Sequence, residues 1–564
     1  MLEGFDLSQI QDEQAKELII RLLNLVEGLS ADLREAQQEN QRLRDEIARL
    51  KGEKGKPNIK PNATSKNRNY SSEKDRKGGH GEQEAQASSA QPKGRKQERV
   101  RIDREETLQV DPALLPGDAQ FKGHEDVLVQ DLLFRTDNVL FHKEKFYSPS
   151  EQKTYLAAMP RGYQGQFGPQ LKAFVWVEYF AAQVSEPKIV ELLGSAGIII
   201  SAAEVSNLLI KQQEPLHAEK AEIVRAGLES SPWQQTDDTG TRVNGVNEHC
   251  HILCNPLYTA FFTLRKKDRL SVIDVLSNQQ ERRYLFNEQA LASLQEKPPI
   301  SQRVIEAVAQ LQSADVLDEA GMAQTISEKL STVPAQQQKL IKEGARIAAY
   351  QAEEECAVIK LLLCDDAGQS KGITEEVALC WVHDGRHYKK LMPVIAYHQQ
   401  LHADFMSQYW DYYRELLHYK KKPDKDEAAR LERRFDELFG TRTGYATLDA
   451  RIEKTRAKKT SLLAVLRHPE VPLHNNAAEL GARARVRKRD VSLGPRTAEG
   501  VHAWDTGMTL VETAKKLGVS VYAYIKDRVS GAKQLPSLAE IIREKAKQMR
   551  LGASWESESV SPNF

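Results

Sequence analysis

Residues 233–243, "WQQTDDTGTRV", set two aspartates side by side in a run that reads as a strand. Neighbours on a strand point to opposite faces, so only one of Asp237 and Asp238 can face a given pocket. Alternation does not say which. An aspartate here can simply serve a turn before Gly240. The other reading is a metal site, and that reading needs partner carboxylates elsewhere. Two more strand-like runs follow at 248–255 and 258–264, joined by the turn signal Asn255-Pro256. The expected start of this domain is three short antiparallel strands with the acidic pair on the first.

Two distant segments supply the partners. "CAVIKLLLCDDAG" is a continuous apolar run, the mark of a buried strand, and it ends in Asp365-Asp366. "HNNAAELGARARVRKRD" predicts a helix over about 475–487 with Glu479 in its first turn. Each feature has an ordinary structural reading, because Asp pairs form turns and a helix N-terminus favours Glu. Together they point to chemistry. Converging carboxylates repel one another and call for cations or protons between them. Mg²⁺ is hard and oxygen-loving and suits such a set. Two such ions about 3.5–4 Å apart can hold the attacking and leaving oxygens of a phosphoryl displacement. Arg483 and Arg487 follow Glu479 by one and two turns on the same face, which suits a polyanionic substrate.

The 564 residues suffice for roughly three or four domains. Lys+Arg and Asp+Glu are 80 each, so the total charge gives no sign of a nucleic-acid partner. Local charge does. Residues 51–100 hold 13 basic against 6 acidic side chains, and 441–495 hold 12 against 5. Five scattered cysteines, Cys250, Cys254, Cys356, Cys364 and Cys380, fit reduced thiols in a cytosolic protein. They lack zinc-finger spacing. The start, "MLEGFDLSQIQDEQ", lacks a signal-peptide pattern, and no run of about 18 apolar residues appears, so no membrane span is expected.

Residues 12–51 repeat in sevens. Ile19, Val26, Leu33, Asn40 and Ile47 share one position; Leu22, Leu29, Ala36, Leu43 and Leu50 share the other. A β-branched-rich a set, a leucine-rich d set and a lone Asn at a predict a parallel two-stranded coil and hence a homodimer. An amphipathic helix packed on its own chain would give a similar pattern. Residues 52–100 are poor in aliphatics and read as a basic flexible linker. The segment 101–165 predicts a small mixed module with a hairpin turning at Thr136–Asn138 and, having no cysteine, no metal. Residues 166–230 are helical. Ser201 with Glu204 reads as a capping box starting a helix at 202, and the glycine turn before it suggests a helix-turn-helix or a plain helical hairpin. The catalytic domain is expected over 231–270 and 355–530, interrupted by a helical insertion at 271–354. Helices broken at Pro393 and at "KKKPDKD" are expected through 373–468, and a C-terminal helix with a tail frayed beyond Ser554 closes 531–564.

The blocks "TDDTGTRVNG", "LLLCDDAGQSKGITEEVALCWVHDGRHYKKL" and "HNNAAELGARARVRKRDVSLGPRTAEGVHAWDTGMTLVETAKKLG" resemble the signature blocks of the insertion sequence 66 family of DDE transposases. The coiled-coil start, the basic linker and "PRGYQGQFGPQLKAF" resemble that family too, so the likeness runs from about 10 to 530. It implies an α+β fold, an RNase H-like core of mixed sheet with helices, that cleaves and transfers DNA strands with two Mg²⁺ ions, Mn²⁺ being able to substitute. Carried over by position, the catalytic and metal-binding acids fall on Asp237, Asp365 and Glu479, with Asp238 and Asp366 as competitors. His383 and Arg386, from the block "CWVHDGR", would hold DNA phosphates, as would Asn475, Asn476, Arg483, Arg487 and Arg489. The pair after the glutamate helix reads Arg489-Asp490 where the family has Arg-Lys, which weakens any lysine role there. The partners implied are the element's terminal repeats and target DNA. Relatives often travel with small accessory proteins encoded beside them. A bacterial, nucleoid-associated cytoplasmic location follows. Two other functions share these residues: a nuclease without strand transfer, and a non-catalytic coiled-coil DNA-binding protein.

Overall fold

The computed structural model describes residues 10–50, 101–111, 114–116, 118–132, 134–163, 165–295, 300–354 and 356–558, the side chains of 45, 48–50, 557 and 558 excepted. The expected linker over 52–100 lies outside them. Helix α1 spans Glu13–Leu50, and a hairpin of β1 (Lys145–Ser148) and β2 (Lys153–Leu156) follows. Four helices come next: α2 (Pro169–Phe180), α3 (Glu186–Ser195), α4 (Ala202–Ile210) and α5 (Glu214–Glu229). Strands β3 (Trp233–Val243), β4 (Val246–Asn255) and β5 (Tyr258–Leu264) then lead to five helices. These are α6 (Arg269–Leu276), α7 (Glu288–Gln295), α8 (Gln302–Ala309), α9 (Glu319–Lys329) and α10 (Ala335–Gln351). The short strands β6 (Leu361–Cys364) and β7 (Glu376–Leu379) precede α11 (Trp381–Lys389), α12 (Ala396–Lys421), α13 (Lys425–Gly440) and α14 (Ala446–Arg456). After the one-turn helices α15 (Lys459–Leu462) and α16 (Ala464–Arg467) come α17 (Asn476–Ser492), α18 (Ala498–Leu517), α19 (Val521–Val529), α20 (Leu538–Met549) and α21 (Ala553–Glu558). Among the described residues no helix is long and apolar enough to cross a membrane.

The main sheet is mixed, in the order β5-β4-β3-β6-β7. Strands β3, β4 and β5 are antiparallel neighbours; β6 runs parallel to β3, and β7 parallel to β6. Helices cover both faces. The side chains of Tyr258, Ala260 and Phe262 join the largest core with α2, α5 and the C-terminal helices. Ile252, Cys254 and Phe261 meet Ala478, Ala482 and Met508 on the opposite face. The free edge of β5 is closed by α18: Asp505, Thr509 and Thr513, four residues apart on one helical face, accept from the backbone N–H groups of Thr263, Phe261 and Thr259. An open strand edge invites pairing with another chain, and this helix occupies it. A helical cluster around Tyr284, Met322 and Ile341 forms a separate core within 271–354, and an aromatic-rich one around Trp381, Tyr412 and Phe435 fills α11–α16.

Three expectations need correction. The hairpin of the 101–165 segment turns after Ser148, with Gln152 at φ 50, and not at Thr136–Asn138. The alternating apolar residues upstream, Val127 and Val129 among them, are exposed and face no strand. The stretch 373–468 is not helical throughout, because β7 pairs with β6 within it. Four residues are too few for a period to register in sequence. The tail beyond Ser554 continues as α21 to Glu558. The start of α4 at Ala202 agrees with expectation, and Ser201 Oγ accepts from Glu204 N at 3.1 Å. The reciprocal half of a capping box occurs instead at Ser537–Glu540 on α20.

Helix α1 has two different faces. Ile19, Ile20 and Leu23 pack against Ile395 and Tyr397, while Leu22, Val26, Leu29, Leu33, Leu43 and Ile47 stay exposed. The heptad seam is therefore left largely free. The docked face carries polar side chains that finish two other helices. Glu27, buried, accepts from Val394 N at 2.7 Å, Ile395 N at 3.1 Å and His398 Nδ1 at 3.3 Å, at the start of α12. Asn24 accepts from Ala446 N at 2.9 Å and donates to Gly444 O at 2.8 Å, at the start of α14. Neither α12 nor α14 has a side-chain cap of its own. The first orphan N–H groups of a helix need such partners. Glu27→Ala is expected to cost about 2 kcal/mol, the range of a lost cap bearing charge-assisted hydrogen bonds. Hydrogen-exchange mass spectrometry checks this: amides 394–398 should exchange faster in the variant, and unchanged protection there would refute the role.

Candidate active site

The register of β3 decides between its two acids. Asp237 lies opposite Ile252 and Asp238 opposite His251, so the two carboxylates leave opposite faces of the sheet. Ile252 faces α17, because a Cβ built on Gly481 would lie 2.9 Å from its Cγ2. Asp237 is thus on the face that carries Glu479. Asp238 points the other way, where Lys267 Nζ meets its two oxygens at 2.9 and 3.1 Å and Gln369 Nε2 donates at 3.3 Å. One acid of the pair is neutralised by a fixed cation; the other has none of these partners.

Asp365 sits one residue past β6. The parallel register pairs Gln235 with Leu363, and two residues further along both strands lie Asp237 and Asp365. Asp365, just past the end of β6, therefore lies beside Asp237 in the middle of β3. Asp365 Oδ1 accepts from Ala367 N at 3.1 Å, which turns the chain away from the sheet. Asp366 is taken up elsewhere, by Lys371 at 2.8 Å and by Lys458. Burial works to raise the Asp366 carboxyl, but these two lysines outweigh it and hold the group below its ordinary range.

Helix α17 brings the third acid. Asn475 at its N-cap is fully buried; its Nδ2 donates to Thr236 O at 2.7 Å and its backbone N–H points at Cys380 Sγ, 3.2 Å away. Those contacts tie the helix start to β3 and to the end of β7. Gly481 then lets the helix lie against Ile252 and Thr259, where any side chain would collide. Glu479, in the first turn, is buried. Its Oε2 accepts from Arg386 Nη2 at 2.9 Å and lies 3.4 Å from Arg483 Nη2, while Oε1 has no hydrogen-bond partner.

The three acids feel one another. Burial first, then the charges of Asp365 and Glu479, pushes the Asp237 carboxyl up to about 7, against a backbone hydrogen bond from Asp238 that lowers it. Repulsion between carboxylates is what a cation would relieve. The donors are all hard oxygens, and Glu479 Oε1 is a buried acceptor left unsatisfied. Both features fit Mg²⁺.

Helix α11 borders this cluster. Arg386 Nη1 donates to His383 Nε2 at 2.9 Å, and an arginine can only donate, so the neutral ring carries its proton on Nδ1, 3.5 Å from Glu479 Oε1. Burial lowers the His383 pKa, which keeps the ring neutral, although Glu479 pulls the other way. Cys380 Sγ, His383 and Glu479 offer donor atoms within 4.8 Å of one another. With its proton on Nδ1, His383 faces Glu479 Oε1 across 3.5 Å without a hydrogen bond and is not a ligand in this arrangement. Burial pushes the Cys380 thiol up to about 11, so it too is protonated. The helix itself is anchored by Asp384, which is buried with Arg451, accepts from Thr455 Oγ1 at 2.9 Å and lies 3.3 Å from Tyr409 OH.

The expected DNA-contacting residues divide. Arg483 and Arg487 are exposed or half-exposed on the Glu479 face of α17, and His383 and Arg386 line the pocket. Asn475 is a correction: with no exposed surface it holds the helix and cannot reach a phosphate. Asn476 is half-buried at the first residue of α17. Arg489 donates to Gly240 O, pinning the β3–β4 hairpin. Two other members of the basic run are internal. Arg485 is buried with Asp505 and Thr263, and Lys488 lies over Tyr179 at 3.1 Å from the ring centre and donates to Tyr179 O at 2.6 Å. Sequence reasoning passed over His387, Lys390 and Lys458, which line the same pocket as Asp365. The spacing of His383, His387 and Lys390 on one helix was the signal that could have found two of them.

Residues 362–503 match the family described as Transposase IS66 family, a span that contains Asp365 and Glu479 but not Asp237. The chain is also 30% identical over 325 residues to an uncharacterized protein, y4jO, of Sinorhizobium fredii (strain NBRC 101917 / NGR234), covering 57% of this chain and 100% of the relative. No solved structure matches the chain. On these matches, the chain belongs to the IS66 transposase family.

Proposed function

We propose that this protein cuts DNA at the ends of its element and joins the freed strand to a target, using Asp237, Asp365 and Glu479 in an RNase H-like core. The observation that carries the reading is the sorting of five acids. Asp238 and Asp366 are paired with lysines, while Asp237, Asp365 and Glu479 from three separate segments are held close enough to raise the Asp237 pKa. The sheet order, three antiparallel strands followed by two parallel ones, supports the RNase H-like assignment. The exposed heptad seam of α1 supports pairing with a second copy, which the joining of two element ends requires.

Asp237, Asp365 and Glu479 would hold two Mg²⁺ ions. Bound there, the ions would polarise the scissile phosphate and lower the pKa of an attacking water or 3′-hydroxyl. The chain's own residues do the rest. Arg386 fixes Glu479 by its Oε2 and leaves Oε1 without a hydrogen bond. Asn475 and Gly481 set the depth of α17 against the sheet. Arg483 and Arg487 offer cations to the backbone of the bound strand. The linker and residues 101–230 would hold the element end.

A duplex bearing the element end, incubated with Mg²⁺ or Mn²⁺, tests the reading. The wild type should nick the end and join a pre-cut end to target, and Glu479→Gln should lose both by at least about a hundredfold. A wild type that nicks but never joins would make the protein a nuclease. DNA binding without any cutting would make it a non-catalytic binder.

A further inference from the structure

Of the three acids, Asp365 lines a pocket of about 410 Å³ that reaches past the acid cluster along α11. Asp365 and Cys380 lie on one side, and the exposed flank of α11 forms the other. His383, Arg386, His387 and Lys390 stand at i, i+3, i+4 and i+7 along that helix, which is a single stripe. The first two are committed to Glu479 and to each other. The His387 and Lys390 side chains are exposed and form no hydrogen bond or ion pair to the described residues.

Besides Asp365, two acids in the pocket wall would repel an anion, and both are already compensated. Asp366 carries Lys371 and Lys458, and Asp384 carries Arg451. Lys458 also lies 4.0 Å from Asp384, so one lysine bridges both acids at the pocket floor. The His387 ring is kept neutral by partial burial and by the nearby Arg451, and offers an N–H rather than a charge. What remains for a ligand is one unpaired ammonium, one imidazole N–H and a neutralised floor. The stripe runs away from the acids, and its seven-residue span corresponds to about 10 Å at 1.5 Å per residue. That length takes the next one or two phosphates of a strand whose scissile phosphate lies at Asp365.

We infer that this pocket is a subsite for the single-stranded nucleotide flanking the scissile phosphate, with Lys390 and His387 binding its phosphodiester. The inference rests on the proposed DNA-cutting role of the acids. At about 410 Å³ the pocket has the size of a small-molecule site and is too small for a duplex, so the flanking nucleotide enters it unpaired, at the cost of unstacking that a frayed or pre-nicked end largely avoids. Lys390 is a positioning residue for this strand and touches no reacting atom.

Binding can be read without cutting, by fluorescence anisotropy of the full-length protein with element-end DNA in Ca²⁺. Lys390→Ala should weaken binding about tenfold and lower the slope of log Kd against log salt by about one. Lys390→Arg should restore both. Lys389→Ala, the same charge lost one residue off the stripe, should do less. In Mg²⁺, Lys390→Ala should raise KM with kcat near wild type. An end with an unpaired flanking nucleotide should bind the wild type more tightly than a fully paired one, and this preference should vanish in His387→Ala/Lys390→Ala. Wild-type cutting with a Lys390→Ala affinity and salt slope equal to wild type would overturn the subsite alone. Absence of metal-dependent cutting by the wild type, with the Lys390 effect on binding intact, would overturn the catalytic reading and leave a nucleic-acid subsite. Failure of the wild type to bind DNA would overturn both.

Discussion

Asp237→Asn should give a folded protein that binds DNA and does not cut it, with cleavage down by about two to three orders of magnitude or more. Removing one carboxylate of a shared cation site removes both a ligand and the charge that holds the second ion. The same substitution should make the metal-free protein more stable, which separates it from a damaging mutation. In the folded state the Asp237 carboxyl titrates at about 7, above its ordinary value of 3.8. Between those values the folded protein holds a proton that the unfolded chain has released. Stability therefore falls as pH rises through this window, and the full penalty, a few kcal/mol at about 1.4 kcal/mol per unit, is present above pH 7. Asparagine never ionises and escapes it. At pH 8 without divalent ions, Asp237→Asn should melt higher than wild type, and at pH 4 the two should coincide. Mg²⁺ should raise the melting temperature of the wild type at pH 8 and leave the variant nearly unmoved. A variant that melts lower than wild type at pH 8 would show that Asp237 is a structural acid.

The largest loss of stability is expected from Asp384→Ala. Asp384 is buried and is the carboxylate for the buried Arg451 guanidinium, whose Nη2 also lies 3.3 Å from Thr455 Oγ1. Deleting one partner of such a pair leaves an uncompensated charge in the interior and costs about 3–5 kcal/mol. Replacing both partners by apolar side chains of similar volume often costs little. Asp384→Leu/Arg451→Met should therefore recover much of what Asp384→Ala loses, as measured by denaturant unfolding. The functional consequence follows from the position of Asp384, next to His383 and two residues before Arg386 on α11. Loosening that helix frees Glu479 from its Arg386 clamp, so residual cutting by folded Asp384→Ala should be weaker than wild type while DNA affinity changes less. Equal stability of Asp384→Ala and wild type would remove the anchor from this account.

Much of the site was legible in the order of the amino acids. A strand with paired acids, an apolar strand ending in a second pair and a helix opening with glutamate are local patterns, and local patterns are what sequence periodicity records. The heptads of α1, the helix start at Ala202 and the strands at 233–243 and 258–264 belong to the same class. The short β7, the true position of the small hairpin and the burial of Asn475 were not legible. Two of these depend on a partner far along the chain: β6 for β7, Thr236 for Asn475. The basic run on α17 shows the same limit. Its charges look alike in sequence, yet Arg485 and Lys488 point inward to Asp505 and Tyr179 while Arg483 and Arg487 reach solvent.

Sequence alone determined which segments carry the acids, because composition and spacing along one strand or helix are fixed covalently. It could not choose between adjacent aspartates. That choice was made by tertiary packing: the β3 register turns Asp237 toward α17, and Lys267, Lys371 and Lys458 neutralise Asp238 and Asp366. Coulomb interaction depends on distance through space, and only the folded chain sets that distance.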